Sequence, residues 1–123
     1  MRVVIAESSL RDGRKLAAEI ESLLPSADVL LYADPDAALV GIKNHQPDVV
    51  VAAPKVGELD GPDFLARVRD LEGIDAKLVG GVDQPDADMS VRYVDAGAAL
   101  VVLRPVNRLS LRAALRHAAG GIS

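Results

Sequence analysis

Short runs of β-branched and aliphatic residues alternate five times with longer stretches in which apolar positions recur at helical spacing. That alternation predicts an α/β fold, a parallel sheet with helices on both faces. Strands are expected over Arg2 to Ala6, Val29 to Tyr32, Val49 to Ala53, Lys77 to Gly80 and Leu100 to Leu103. The first, third and fifth are the most apolar, as strands covered on both faces are.

The first helix places Gly13, Leu16, Ala17, Ile20, Leu23 and Leu24 on one stripe, with Ser9 or Ser8 as its cap and Pro25 as its stop. The second has the clearest start, Asp34 followed by Pro35, then Ala38, Leu39 and Ile42, with Lys43 at the carbonyl end complementing the dipole. The third carries Phe64, Leu65, Val68 and Leu71 after the turn Asp60-Gly61-Pro62. The fourth, from about Pro85 to Ala96, has only Met89, Tyr93 and Val94 as its stripe and is expected to be the least firmly docked. The fifth turns Leu111, Ala114, Leu115 and Ala118 inward and repeats Arg108, Arg112 and Arg116 every four residues on another face.

Composition narrows the function. A chain of 123 residues, half of them apolar, is expected to form one domain over 1–123 with a core that needs no staples. The chain has no cysteine, so disulfides and thiolate metal sites are excluded and a cytoplasmic location is the expectation. The apolar run within Met1 to Glu7 is too short for a signal peptide, and no stretch approaches a membrane span. A formal net charge of -4 opposes general attraction to nucleic acid, and Phe64, Tyr32 and Tyr93 are too few for base stacking. His45 and His117 have no second ligand at useful spacing, and Gly80-Gly81 matches no phosphate-binding fingerprint. No metal or cofactor is expected.

Open parallel sheets bind ligands beyond the carboxyl ends of their strands, where strand order reverses. In this chain those positions are Glu7 and Ser8, Ala53 to Lys55, Gly81 and Arg104.

Over nearly its whole length the chain resembles a receiver domain of bacterial two-component response regulators. The residues that carry the resemblance are Pro47-Asp48-Val49-Val50-Val51-Ala52-Ala53, then Leu59-Asp60-Gly61, then Gly97-Ala98 followed by Val101-Val102-Leu103-Arg104-Pro105. The resemblance implies a doubly wound five-stranded parallel sheet in the order two-one-three-four-five with five helices. It also implies a phosphoacceptor aspartate, an acidic pair for magnesium, a lysine and a phosphate-sensing hydroxyl. Carried over by residue, the acceptor position is Ala53, the acidic pair is Glu7 and Ser8, the hydroxyl position is Gly81 and the lysine position is Arg104. The aromatic residue that rotates with the family's switch falls at Val101, and the Arg104-Pro105 bond matches the family's cis peptide.

Alanine cannot accept a phosphoryl group, and magnesium wants carboxylate oxygens that Ser8 does not offer. Asp60 is expected to close a turn or cap the third helix, Ser8 to be a cap, and Lys55 to be a solvated loop charge. Glu7 and Arg104 either pair across the emptied pocket or remain two solvated charges at its rim.

The expected function is therefore a pseudo-receiver: a regulatory module, not an enzyme, that works by protein contact without phosphorylation. Its partner is expected to be another protein or an attached output domain, with a homodimer through the fourth helix, fifth strand and fifth helix as one form. That face carries Arg92, Asp95, Leu100, Val102, Arg108, Arg112 and Arg116. The alternative is a small-ligand sensor using room left by Ala53, Gly80 and Gly81. A phosphorelay or enzymatic role ranks last because it needs an acceptor that is absent.

Overall fold

Four of the five residues of the first strand, β1 (Arg2–Ala6), are buried, because this strand lies inside a sheet covered on both faces. The computed structural model describes residues 1–104 and 108–118. After β1 come α1 (Leu10–Leu23), β2 (Asp28–Tyr32), α2 (Pro35–His45) and β3 (Val49–Ala52). A short pair follows, β4 (Lys55–Val56) and β5 (Leu59–Asp60), then α3 (Gly61–Arg69), β6 (Lys77–Val82), α4 (Ala87–Asp95), β7 (Leu100–Leu103) and α5 (Arg108–Ala118).

The five long strands are parallel in the order β2-β1-β3-β6-β7, the order expected for a doubly wound receiver sheet. Val3 stands between Val29 and Val49 in register, and Ala6 between Tyr32 and Ala52. The antiparallel β4–β5 pair lies apart from this sheet and was not expected from the pattern, since two residues per strand leave no periodicity to read.

Side-chain alternation sorts the core into two layers. Val4, Ala6, Val50, Ala52, Leu78 and Val82 face α2, α3 and α4 through Ala38, Ile42, Phe64, Leu65, Val68 and Tyr93. Val3, Ile5, Val49 and Val79 face α1 and α5 through Ile20, Leu111 and Leu115.

The caps follow side-chain chemistry. Ser9, Asp34, Asp60 and Asp86 each accept a backbone N–H three residues on, satisfying a free amide of α1, α2, α3 and α4. The cap of α1 is thus Ser9, and Ser8 is released for another task.

Two expectations change. The fourth strand runs on to Val82, and Val94 leaves the stripe expected on α4. Tyr93 is wholly buried while Val94 is 63% exposed, so the narrow stripe of α4 comes down to one fully buried side chain. The Arg104–Pro105 bond and the side chains of Arg108, Ala114, His117 and Ala118 lie outside the described residues. Among the described residues, no helix is long and apolar enough to cross a membrane.

Candidate functional site

The sheet's hydrogen bonding continues just past the strand ends and fixes the loops there. Glu7 N donates to Tyr32 O at 3.0 Å, Ala53 N to Ala6 O at 2.9 Å and Arg104 N to Val82 O at 2.7 Å. Glu7, Ser8, Ala53, Gly81 and Arg104 are thereby held together at the carboxyl edge, beside the reversal of strand order between β1 and β3.

Within this cluster the charges are already paired. Arg104 Nη1 donates to Glu7 Oε1 at 2.6 Å and Arg104 Nε donates to Asp83 Oδ1 at 3.1 Å. Glu7 is only 5% exposed, so a buried carboxylate meets its counter-charge inside the fold. Burial alone lowers the Arg104 pKa, but the bonds and charges of Glu7 and Asp83 outweigh it and hold the guanidinium above its ordinary value. Gly81 makes room for this arrangement, because a Cβ there would stand 3.1 Å from Arg104 Cδ and 3.2 Å from Ala52 O.

Ser8 ties down the loop after β3. Its hydroxyl donates to Lys55 O at 3.1 Å and accepts from Gly57 N at 2.6 Å, fastening the β4–β5 pair beside the cluster. Asp60, at the end of β5, caps α3 and forms an ion pair with Arg92 of α4 at 2.7 Å. Burial pushes the Asp60 carboxyl up, yet Arg92 and the Asp63 N–H together hold it below its ordinary value.

Ala53 is 3% exposed and presents a methyl group to a mostly apolar cavity of about 30 Å³ between the sheet, α1 and α5. Ile5, Leu16, Val51, Val79 and Leu111 line it, with Glu7 and Arg104 also on its wall. That volume holds roughly two water molecules, so this conformation offers a metabolite little space.

Magnesium does not fit the residues present. Ser8 spends its hydroxyl on backbone groups, Ala53 has no oxygen in its side chain, and Glu7 is held by Arg104. Among the described residues, no group of three or more His, Asp or Glu side chains could hold a metal ion.

The expected interface residues divide. Arg112 and Arg116 are exposed on α5 and Asp95 is exposed on α4, where its carbonyl accepts from Arg69 Nη1 at 2.8 Å. Arg92 is half-exposed but reaches across to Asp60 and Asp63 of the α3 start. Leu100 is half-buried, and Val102 packs inward into the layer beneath α5, as strand alternation requires. The large apolar groups exposed around this edge are instead Val91 and Val94 of α4, Leu103 of β7 and Leu109 of α5.

Tyr93 was legible only as part of a stripe. Its phenol reaches the carbonyls of Gly81 and Ala53, two of the five positions that form the cluster. The two glycines that make room for the ring, Gly61 and Gly80, are distant from it in sequence, so no local pattern marked it.

No family model matches the chain. Among curated proteins it is 31% identical over 100 residues to protein-glutamate methylesterase/protein-glutamine glutaminase 2 of Bordetella avium, covering 80% of this chain and 28% of that protein. It is 30% identical over 93 residues to protein-glutamate methylesterase/protein-glutamine glutaminase 1 of Burkholderia pseudomallei, covering 75% of this chain and 26% of that protein. The chain thus spans about a quarter of the length of these relatives.

Solved structures give a match over the whole fold. The signal receiver domain of a DNA binding response regulator from Colwellia psychrerythraea superposes with a TM-score of 0.87 at 20% identity, over 98% of both chains. The receiver domain of sensor histidine kinase PA1611 from Pseudomonas aeruginosa, with a magnesium ion coordinated in its active site cleft, gives 0.84 at 19% identity, over 97% of both. The fold is that of response-regulator receiver domains.

Proposed function

We propose that this chain is a pseudo-receiver: a regulatory module of the response-regulator type that signals through protein contact and without aspartyl phosphorylation. The observation that carries the reading is the Glu7–Arg104 ion pair beside Ala53. Phosphoryl transfer needs an acceptor oxygen, a carboxylate free to hold a divalent cation, and a cation free to meet the incoming phosphate. In this chain the first is a methyl group, and the other two neutralise each other.

On this reading Glu7, Ser8, Ala53, Gly81 and Arg104 are the remnant of a phosphoacceptor pocket turned into internal structure. The magnesium-holding cleft of the Pseudomonas receiver has no counterpart in this donor set. The domain spans 1–123, acts in the cytoplasm and catalyses nothing itself. The methylesterase and glutaminase activities that name the curated relatives belong to proteins about three times its length.

The partner surface is the edge formed by α4, β7 and α5. Exposed Val91, Val94, Leu103 and Leu109 supply apolar contact, while Asp95, Arg112 and Arg116 supply a charged rim. An apolar centre with a polar border suits a specific interface with a second copy, an output domain or another protein.

Incubation with acetyl phosphate and magnesium, followed by intact-mass spectrometry, tests the reading. The mass is expected to stay unchanged; an acid-stable but base-labile phosphoryl adduct, as an acyl phosphate gives, overturns it.

A further inference from the structure

Tyr93 is fully buried and belongs to α4, the helix whose sequence pattern gives it the weakest hold on the sheet. Two glycines make its seat. A Cβ on Gly80 would collide with the Tyr93 ring, and a Cβ on Gly61 would collide with the phenol oxygen. At the bottom of the seat the hydroxyl donates to Gly81 O at 2.7 Å, with Ala53 O at 3.3 Å as a second acceptor. The ring is therefore confined along its edge and at its tip, and a close-packed interior resists any repositioning.

The outer side of α4 is fastened as well. Arg92 bonds Asp60 and Asp63 near its middle, and Arg69 of α3 donates to Asp95 O at its end. Three attachments, one buried and two at the surface, fix the position of a nine-residue helix.

We propose that Tyr93 is a fixed key that locks α4 to the backbone of the emptied pocket, so that the α4–β7–α5 face exists in a single, always-presented conformation. The inference rests on the pseudo-receiver reading and adds its regulatory consequence: output depends on partner availability rather than on a conformational change within this domain. Val101, a small side chain on β7, packs into the same layer and leaves the aromatic role to Tyr93.

The lock is tested by native-state hydrogen exchange on the unmodified chain and on Tyr93→Phe, with NMR of the Tyr93 ring. In the variant, amides of Val91 to Ala96 are expected to exchange about tenfold faster while those of β1 and β3 keep their rates. Equal acceleration throughout, or no acceleration in α4, overturns the proposal. If the variant does not fold, the unmodified ring decides: slow flipping with separate signals for its two sides supports the lock, and fast flipping contradicts it. Failure of the lock leaves the phosphorylation-independent reading standing, because that reading is judged by acetyl phosphate and by phosphate mimics.

Discussion

Glu7 and Arg104 meet at 2.6 Å although 97 residues separate them along the chain. Side-chain exposures of 6% and 22% put this pair in the class whose disruption is costly, since removing one partner strands a buried charge. Arg104→Met is expected to destabilise the fold by about 3 kcal/mol. Glu7→Gln should cost less, because the Arg104 guanidinium it leaves behind is more exposed and keeps its bond to Asp83. Urea denaturation of both single variants and the double variant checks this. A double variant no worse than Arg104→Met gives the coupling that direct pairing requires, and strictly additive losses contradict it.

Restoring the acceptor alone should fail. Ala53→Asp places a carboxylate beside Glu7 at a site that is 3% exposed, so a loss on the order of 1–3 kcal/mol is expected. Acetyl phosphate should leave its mass unchanged, because Ser8 and Arg104 remain engaged elsewhere. The triple variant Ser8→Asp, Ala53→Asp, Arg104→Lys is the arrangement expected to regain magnesium binding and phosphorylation. Phosphorylation of the single variant would show that the pocket is more open than its ion pair implies.

Two groups give the stability a pH signature. Asp60 titrates below 3.8 in the folded state, so its contribution is complete above that value and is lost as pH falls through the lower folded value. Asp60→Asn should flatten this acid limb and leave Arg92 paired with Asp63 alone. At the other end, burial holds the Tyr93 phenol above 10.0, so the folded form retains a proton that the unfolded chain gives up. Stability should therefore fall as pH rises above about 10, and Tyr93→Phe should abolish that slope. Thermal melts across both limbs measure the effects.

The proposed partner face predicts a separation between assembly and folding. Val94→Glu and Leu103→Glu change exposed side chains and should leave the denaturation midpoint within about 0.5 kcal/mol of the original. Either change, and Arg112→Glu, should weaken self-association in sedimentation equilibrium. A chain that is monomeric at high concentration removes the homodimer and leaves the output-domain or heterologous partner.

The strands and helices were readable because buried strands and capped helices leave strong local patterns, as Asp34-Pro35 and Val49 to Ala52 do, whereas the strand order followed only from the resemblance to receiver domains. The Glu7–Arg104 pair was legible as one of two alternatives, since the strand ends bring those residues together whatever their charges then do. The role of Ser8 was hidden because a hydroxyl bonded to Lys55 O and Gly57 N has no sequence pattern. Tyr93 escaped for a related reason. Its seat is made of missing side chains at Gly61 and Gly80, which are 13 and more residues away and read locally as turn or strand-end glycines. Val102 was misplaced outward because an apolar residue on an edge strand gives no sign of which face it serves.

The most direct test of the account is an amide NMR titration with magnesium and beryllofluoride, which mimics an aspartyl phosphate. The account predicts that no resonance moves. Shifts clustered around Glu7, Asp60 and Arg104 would reveal a working acceptor and contradict it.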